Sequence, residues 1–287
     1  MVKDINTDAE DTSPSGDPKN FIEYKGLLYF NGNDGDKGAD KHDSELWSTD
    51  GTTDGTQLVA DIWAGGNGNA SNPQQMFVFN DKLYFNAKVD AANQVFRYDG
   101  TNPVAKITSM RDNGSAVPFF PVVDEANGKV YIKAISTNGK YQLCVLKADE
   151  SYEVMEINAT DHGFAGIEGG VIYKDKYYFD GDNGTDGDEL FISDGTEVGT
   201  TMLKDIYVGG DSDPEQFTEY NGDLYFIAEV ATGMQLWKTD GTTDGTVMVA
   251  EPFIGGDADM DHLTLYNGKL YFSATDGTNG VEVWTYD

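Results

Sequence analysis

FTEYNGDLYFIAEVATGMQLWKTDGTTDGTVMVA (residues 217–250) holds four strand-length runs rich in aromatic and β-branched residues. Turn signals part them: an Asn-Gly pair after the first run and a DGTxxGT connection before the last. The triplet Leu224-Tyr225-Phe226 in the second run is a marker that recurs through the chain. Its other copies are Leu28-Tyr29-Phe30, Leu83-Tyr84-Phe85, Tyr177-Tyr178-Phe179, Leu270-Tyr271-Phe272 and the degenerate Val130-Tyr131-Ile132. Successive copies lie 55, 47, 47, 47 and 46 residues apart, so the 287 residues contain six units.

Four strands in a repeat of about 45 residues is the signature of a β-propeller blade. Such a blade would expose both faces if alone, so it packs between neighbours around an axis. The expectation is an all-β, six-bladed β-propeller of four-stranded antiparallel blades, forming one domain over residues 1–287. The blades fall near residues 16–62, 70–108, 116–158, 165–207, 213–254 and 260–287. The last unit lacks a fourth strand, and MVKDIN (1–6) aligns with the fourth-strand segments LVADIW and MLKDIY (202–207). Residues 1–6 are therefore expected to complete the blade at 260–287 and close the ring.

ELWSTDGTTDGT (45–56), ELFISDGTEVGT (189–200) and QLWKTDGTTDGT (235–246) resemble the ELWxxDGTxxGT repeats of secreted and surface bacterial proteins, sometimes called hyalin-like repeats. NGKLYFSATDGTNGVEVW (267–284) matches the same pattern. The resemblance covers nearly the whole chain and implies a propeller in an extracellular setting, with no particular activity. The second and third units depart from it at QVFRYDGTN (94–102) and QLCVLKADE (142–150), which leaves those edges open to another purpose.

Fifty acidic against 19 basic residues give a formal net charge of −31. That field repels phosphate backbones and anionic membranes, which excludes nucleic acid as the expected partner. It attracts cations, calcium above all, because calcium takes carboxylate and carbonyl oxygens; solubility or adaptation to salt explains it equally well. The single cysteine, Cys144, allows no intramolecular disulfide, and its alignment with Trp47, Phe96, Phe191, Trp237 and Trp284 makes it a core residue. No run of 18 apolar residues is present, so no membrane insertion is expected. No signal peptide is visible, but Met1 opens directly on a strand-like segment, so a missing leader does not argue against secretion.

In propellers the loops from strand two to three, and from strand four to the next blade, share the face that usually binds ligands. The DGTxxGT loops fall on the opposite face, and their Gly and Asp suit tight turns. FDGDNGTDGDEL (179–190) places Asp180, Asp182, Asp186 and Asp188 close together on the ligand face, where alternating acids could turn toward one calcium ion. The EF-hand pattern is not met, and a solvated acidic loop is the competing reading. NGNDGDKGADKHDSE (31–45), with Asp34, Asp36, Asp40 and Asp43, is a longer relative.

Trp63, Tyr207 and Phe253 end three fourth strands near the same face. They are candidates for stacking on sugar rings, with packing between blades as the alternative. The start of the inner strand aligns Lys19, Gln74, Glu168, Glu215 and Asp261, with Phe119 in the third unit. Asn20, Gln75, Gln216 and His262 follow one residue later. Such a ring suits a polar ligand or a cation, or simply hydrates the channel. No catalytic triad order, HExxH, CxxC pair or phosphate loop occurs, and no organic cofactor is expected.

Three functions compete. The first is a non-catalytic, monomeric binding or adhesion module that recognises a glycan or surface protein through the loop face, with calcium shaping the loops. The second is a structural spacer in a larger surface protein. The third is a secreted glycosidase or lyase using carboxylates at the channel mouth, such as Glu215 and Asp261; a carboxyl with a raised pKa would favour it.

Overall fold

The computed structural model describes residues 1–7, 15–35, 44–63, 70–89, 92–109, 119–136, 139–164 and 169–287. Every regular element among them is a β-strand, as expected of an all-β chain. The first sheet comprises Lys19–Tyr24, Leu27–Gly32, Glu45–Thr49 and Gln57–Ala60. The second comprises Gln74–Phe79, Lys82–Val89, Ala92–Tyr98 and Ala105–Lys106. The third comprises Phe119–Asp124, Lys129–Ile135, Tyr141–Lys147 and Tyr152–Met155. The fourth comprises Val171–Tyr173, Lys176–Asp182, Asp188–Ser193 and Thr201–Lys204. The fifth comprises Glu215–Tyr220, Asp223–Val230, Gly233–Thr239 and Val247–Ala250. The sixth has three strands, Asp261–Tyr266, Lys269–Thr275 and Val281–Tyr286. Strands pair in chain order within every sheet, the meander of a propeller blade.

The chain divides into two compact units. One holds Met1–Val130, Ala134–Gly139 and Leu146–Tyr152; the other holds Tyr131–Lys133, Lys140–Val145 and Glu153–Asp287. In the first unit Tyr24, Tyr29 and Leu46 of the first sheet pack with Leu83, Phe85, Ala87 and Phe96 of the second. In the second unit the fifth sheet is buried on both faces. Leu224, Phe226 and Ala228 pack toward Tyr178, Leu190 and Ile206 of the fourth sheet. Tyr225 and Ile227, which point the other way by strand alternation, pack toward Leu263, Leu270 and Phe272 of the sixth. The marker triplet thus serves two cores at once, and each of its large side chains contributes roughly 1.5–3 kcal/mol by leaving water.

A buried polar residue lies within the first three positions of the third strand in five sheets: Glu45, Gln94, Gln142, Glu189 and Gln235. Glu45 accepts from the Ile62 and Ser71 N–H groups at 2.8 and 3.0 Å and from the Ser71 hydroxyl at 2.6 Å. Glu189 repeats this with the N–H of Ile206, at 2.7 Å, and the hydroxyl of Ser212, at 2.7 Å. Each carboxylate latches the tail of its own fourth strand and the approach to the next sheet. Burial pushes both pKa values up, and these hydrogen bonds oppose that. In the fifth sheet Pro252 stands where Ile206 does, Ala258 where Ser212 does, and Gln235 takes the place of the acid. Proline has no N–H and alanine no hydroxyl, so both donors that require a carboxylate are gone.

The DGTxxGT loops close on themselves. Asp50 Oδ1 accepts from the Thr52 N–H at 2.8 Å and its hydroxyl at 2.7 Å, and Thr49 and Thr56 hydroxyls meet at 2.7 Å. Asp194 and Asp240 repeat the first pair of bonds in their own loops. Gly51 has φ of 88°, and a Cβ on Gly55 would lie 2.0 Å from Asp50 Oδ1, so each glycine is required for its own reason.

Closure by residues 1–6 is not detected: Met1–Thr7 lie in no assigned strand and the sixth sheet has three strands. Side-chain bonds hold the segment instead of a backbone ladder, with the Thr53 hydroxyl donating to Val2 O at 2.8 Å and Lys3 Nζ to Thr56 O at 2.7 Å.

Glu45→Gln is expected to lower stability by about 1–3 kcal/mol, because its amide would turn an NH2 toward buried donors. Urea denaturation measures it, and an unchanged midpoint would contradict the latch.

Candidate functional site

The residue after each marker triplet is polar in five of the six units: Asn31, Asn86, Lys133, Asp180 and Ser273, with Ile227 the exception. Its cross-strand neighbours are known for four sheets, and they are the aligned residues at the start of the inner strand. Lys19 faces Asn31, Gln74 faces Asn86, Glu215 faces Ile227 and Asp261 faces Ser273. The inner strand bulges directly after that pair, with Asn20, Gln75, Gln216 and His262 at φ of 57°, 51°, 57° and 61°. Asn31 and Asn86 are buried, and their side-chain atoms have no hydrogen-bond partner.

Asp180 is 7% exposed, and its Oδ1 is buried with no hydrogen-bond partner. Carboxylate oxygens of Asp180, Asp188 and Asp213 all lie within 4.8 Å of one another. Burial, with the charges of Asp188 and Asp213, pushes the Asp180 carboxyl up to about 9. Burial and the charge of Asp211 push Asp188 up to about 6, and burial also raises Asp213. Asp213 is fixed by a left-handed backbone at φ 42°, while Ser212 N–H donates to Asp188 O at 2.7 Å.

Asp182 and Asp186, expected in the same site, are engaged elsewhere. Asp182 accepts from Asn158 Nδ2 at 3.0 Å and Gly184 N–H at 2.5 Å. Asp186 accepts from Asn183 Nδ2 at 2.8 Å within the turn. Of the 31–45 loop, Asp34 is described and Asp36, Asp40 and Asp43 lie outside the described residues, as does Glu168.

Beside the carboxylates is a cleft of about 420 Å³ lined by Lys133, Tyr141, Asp161, His162, Phe164, Asp182 and Asp188. Lys133 is buried beneath it, its Nζ 5.0 Å from the Tyr141 ring centre and 5.2 Å from that of Phe164. Burial lowers its pKa, against the opposing charges of Asp180 and Asp188. The rings of Tyr141 and His162 lie 4.9 Å apart. His162 Nδ1 accepts the Tyr141 N–H at 2.8 Å, so the neutral ring carries its proton on Nε2. Asp180 and Asp188 carry raised carboxyls of the kind that would favour a carbohydrate-active enzyme; Asp188 lines this cleft and Asp180 does not.

The third unit builds this wall. Gln142 replaces the latch carboxylate, donating to Asn158 O at 2.6 Å and accepting from Ile157 N–H at 3.0 Å. Asn158, also buried, accepts from Thr160 N–H at 3.0 Å and Asp161 N–H at 2.9 Å. Sequence reasoning missed Lys133 and Asp213. The polar residue after each marker was the signal for Lys133; no local pattern marks Asp213.

In the second unit, Gln216 Nε2 donates to Asp261 Oδ1 at 2.5 Å and to Glu215 Oε1 at 3.3 Å, and His262 Nδ1 lies 3.3 Å from Asp261 Oδ2. The Gln216 bond lowers the Asp261 pKa. In the first unit Lys19 pairs with Asp17 at 3.2 Å, and Asn20 donates to Pro73 O at 3.1 Å. Lys88 Nζ lies 5.0 Å from the Trp63 ring centre. Tyr207 covers Gly210; Phe253 covers Gly256 and Gly277 and joins the core of the fifth and sixth sheets. Cys144 is fully buried, its thiol pushed up to about 12 by burial, as fits a core residue.

No family model and no curated protein matches the chain. Among solved structures it is similar to a GH74 xyloglucanase from Xanthomonas campestris, at 14% identity and TM-score 0.48 over 90% of this chain and 45% of that one. It is also similar to puromycin hydrolase, at 14% identity and TM-score 0.47 over 96% of this chain and 47% of that one. TolB from Acinetobacter baumannii shows 12% identity and TM-score 0.41 over 91% of this chain and 66% of that one. The chain therefore spans about half the length of the first two. Among the described residues no helix is long and apolar enough to cross a membrane.

Asn158→Ala is expected to cost about 1–3 kcal/mol, since it strands buried donors and frees Asp182. A chemical denaturation curve tests this; a loss under a few tenths would show that the loop holds its shape without the asparagine.

Proposed function

We propose that the chain is an extracellular, non-catalytic recognition module whose cleft at Lys133, Tyr141 and His162 takes a neutral glycan. The observation that carries this is the cleft itself. A Tyr–His ring pair stands over a row of carboxylates, which supplies a stacking surface beside acceptors for sugar hydroxyls. The net charge of −31 disfavours acidic polymers as ligands.

Affinity electrophoresis through dextran, mannan and a β-glucan, with alginate as the acidic control, tests the reading. At least one neutral polymer should retard the chain, and Tyr141→Ala should weaken that retardation about tenfold or more while melting stays unchanged. Retardation by none of them would sink the glycan reading and favour a protein ligand or a spacer.

The scaffold is inferred to be a six-bladed ring in which residues 1–6 supply the fourth strand of the last blade. Two observations, one in each unit, support it. Thr53 donates to Val2 O as Thr243 donates to Leu203 O, at 2.8 and 2.9 Å, so the N-terminal segment meets the first DGTxxGT loop as a fourth strand meets its neighbour's loop. Val283 is 78% exposed where the equivalent Leu46, Leu190 and Leu236 are fully buried, which leaves the last blade short of a cover. Deleting residues 1–6 should lower stability by several kcal/mol, because the outer edge of the final strand would be left uncovered; an unchanged melting temperature would refute the closure.

A further inference from the structure

The carboxylates of Asp180, Asp188 and Asp213 lack a structural explanation of the kind that Asp182, Asp186 and the latch glutamates have. We propose that they hold one divalent cation, and that calcium fits best. Their oxygens lie within 4.8 Å of one another. Two ligands on a calcium ion with bonds of roughly 2.3–2.6 Å can stand no more than about 4.6–5.2 Å apart.

An independent observation points the same way. Asp180 Oδ1 is buried and has no hydrogen-bond donor. A carboxylate oxygen in that position is costly unless a donor or an ion meets it. Asp188 and Asp213 are carboxylates, which accept rather than donate, and Lys133 makes no hydrogen bond to Oδ1. Charge sets the valence. Lys133 is the cation that acts on Asp180 and Asp188. Asp211 and Asp182 add their charges at Asp188, and Asp211 at Asp213, so one ammonium is outnumbered and a divalent ion suits the set better than a monovalent one. The donors are all oxygen, which selects a hard cation over zinc or copper.

The three ligands come from different places: the second and third strands of the fourth sheet, and the residue two before the fifth sheet begins. An ion here would tie the two sheets together within one unit. The proposal does not depend on the glycan reading, since its readout is the ion itself.

The test uses the whole chain, stripped with EDTA and dialysed at fixed ionic strength. Equilibrium dialysis should find one tightly held calcium per chain. Melting should rise saturably with calcium and less with magnesium. Asp180→Asn and Asp213→Asn should each abolish that rise, while Asp186→Asn keeps it. In EDTA, Asp180→Asn should melt no lower than the parent, because the amide removes the one buried acid from a crowded set; this separates loss of the ion from loss of the fold. If Asp180→Asn proves unstable, Asp213→Asn carries the same test. A full calcium response in both variants overturns the assignment. So does dialysis that finds no bound calcium, magnesium or manganese, which would make the cluster an ion-pair network around Lys133.

Discussion

The second strand of the fifth sheet sends Leu224, Phe226 and Ala228 to one side and Tyr225 and Ile227 to the other, and all five are buried. A four-stranded sheet built this way cannot stand in water, since each face carries apolar area that only another sheet can cover. Everything else answers to that requirement. The tyrosine at the end of the inner strand reaches the next sheet's turn, as Tyr24 does to Asp81 O at 2.8 Å and Tyr173 to Gly222 O at 2.6 Å. The latch residue at the start of the third strand anchors the chain where it leaves one sheet for the next.

Burial of polar groups then becomes a problem of matching, solved locally each time. Glu45 and Glu189 sit among donors, and both keep a carboxylate. Gln142 faces a mixture of N–H and C=O groups, and an amide serves it with one end for each. Gln235 has lost its donors to Pro252 and Ala258, and its amide is left buried without a partner. The residue type at this position follows the hydrogen-bond inventory around it, which is why one structural role appears as either Glu or Gln.

The sheet order and the loop chemistry were legible in the sequence because both rest on short-range rules. Alternation and turn residues specify a strand pair without reference to anything distant, and Asp50, Thr52 and Gly55 complete their own loop. The site was legible only in part. Asp180 and Asp188 were found because they lie close together in sequence and face each other's strand. Asp213 comes from the far side of the fourth strand, a juxtaposition that no local pattern encodes. Asp182 and Asp186 illustrate the converse: their spacing looked suited to an ion, yet a turn needs the same residues in order to satisfy its own N–H groups. Phe253 shows the same ambiguity for aromatics, since a ring that could stack on a sugar is used to cover two glycines.

The departures from the repeat carry the most information about function. Where all six units must meet the same packing demand, a residue that keeps the pattern is explained by the fold. The third unit abandons the DGTxxGT loop, changes the marker to Val130-Tyr131-Ile132 and follows it with Lys133. That unit supplies Lys133 and Tyr141 to the cleft, the link to the fourth supplies Asp161, His162 and Phe164, and Asp182 and Asp188 come from the fourth. A lysine buried between two rings gives up hydration that packing alone does not return. The carboxylates of the next sheet are what make that position tolerable, and Lys133 in turn moderates their mutual repulsion. Each half of the arrangement is unfavourable without the other.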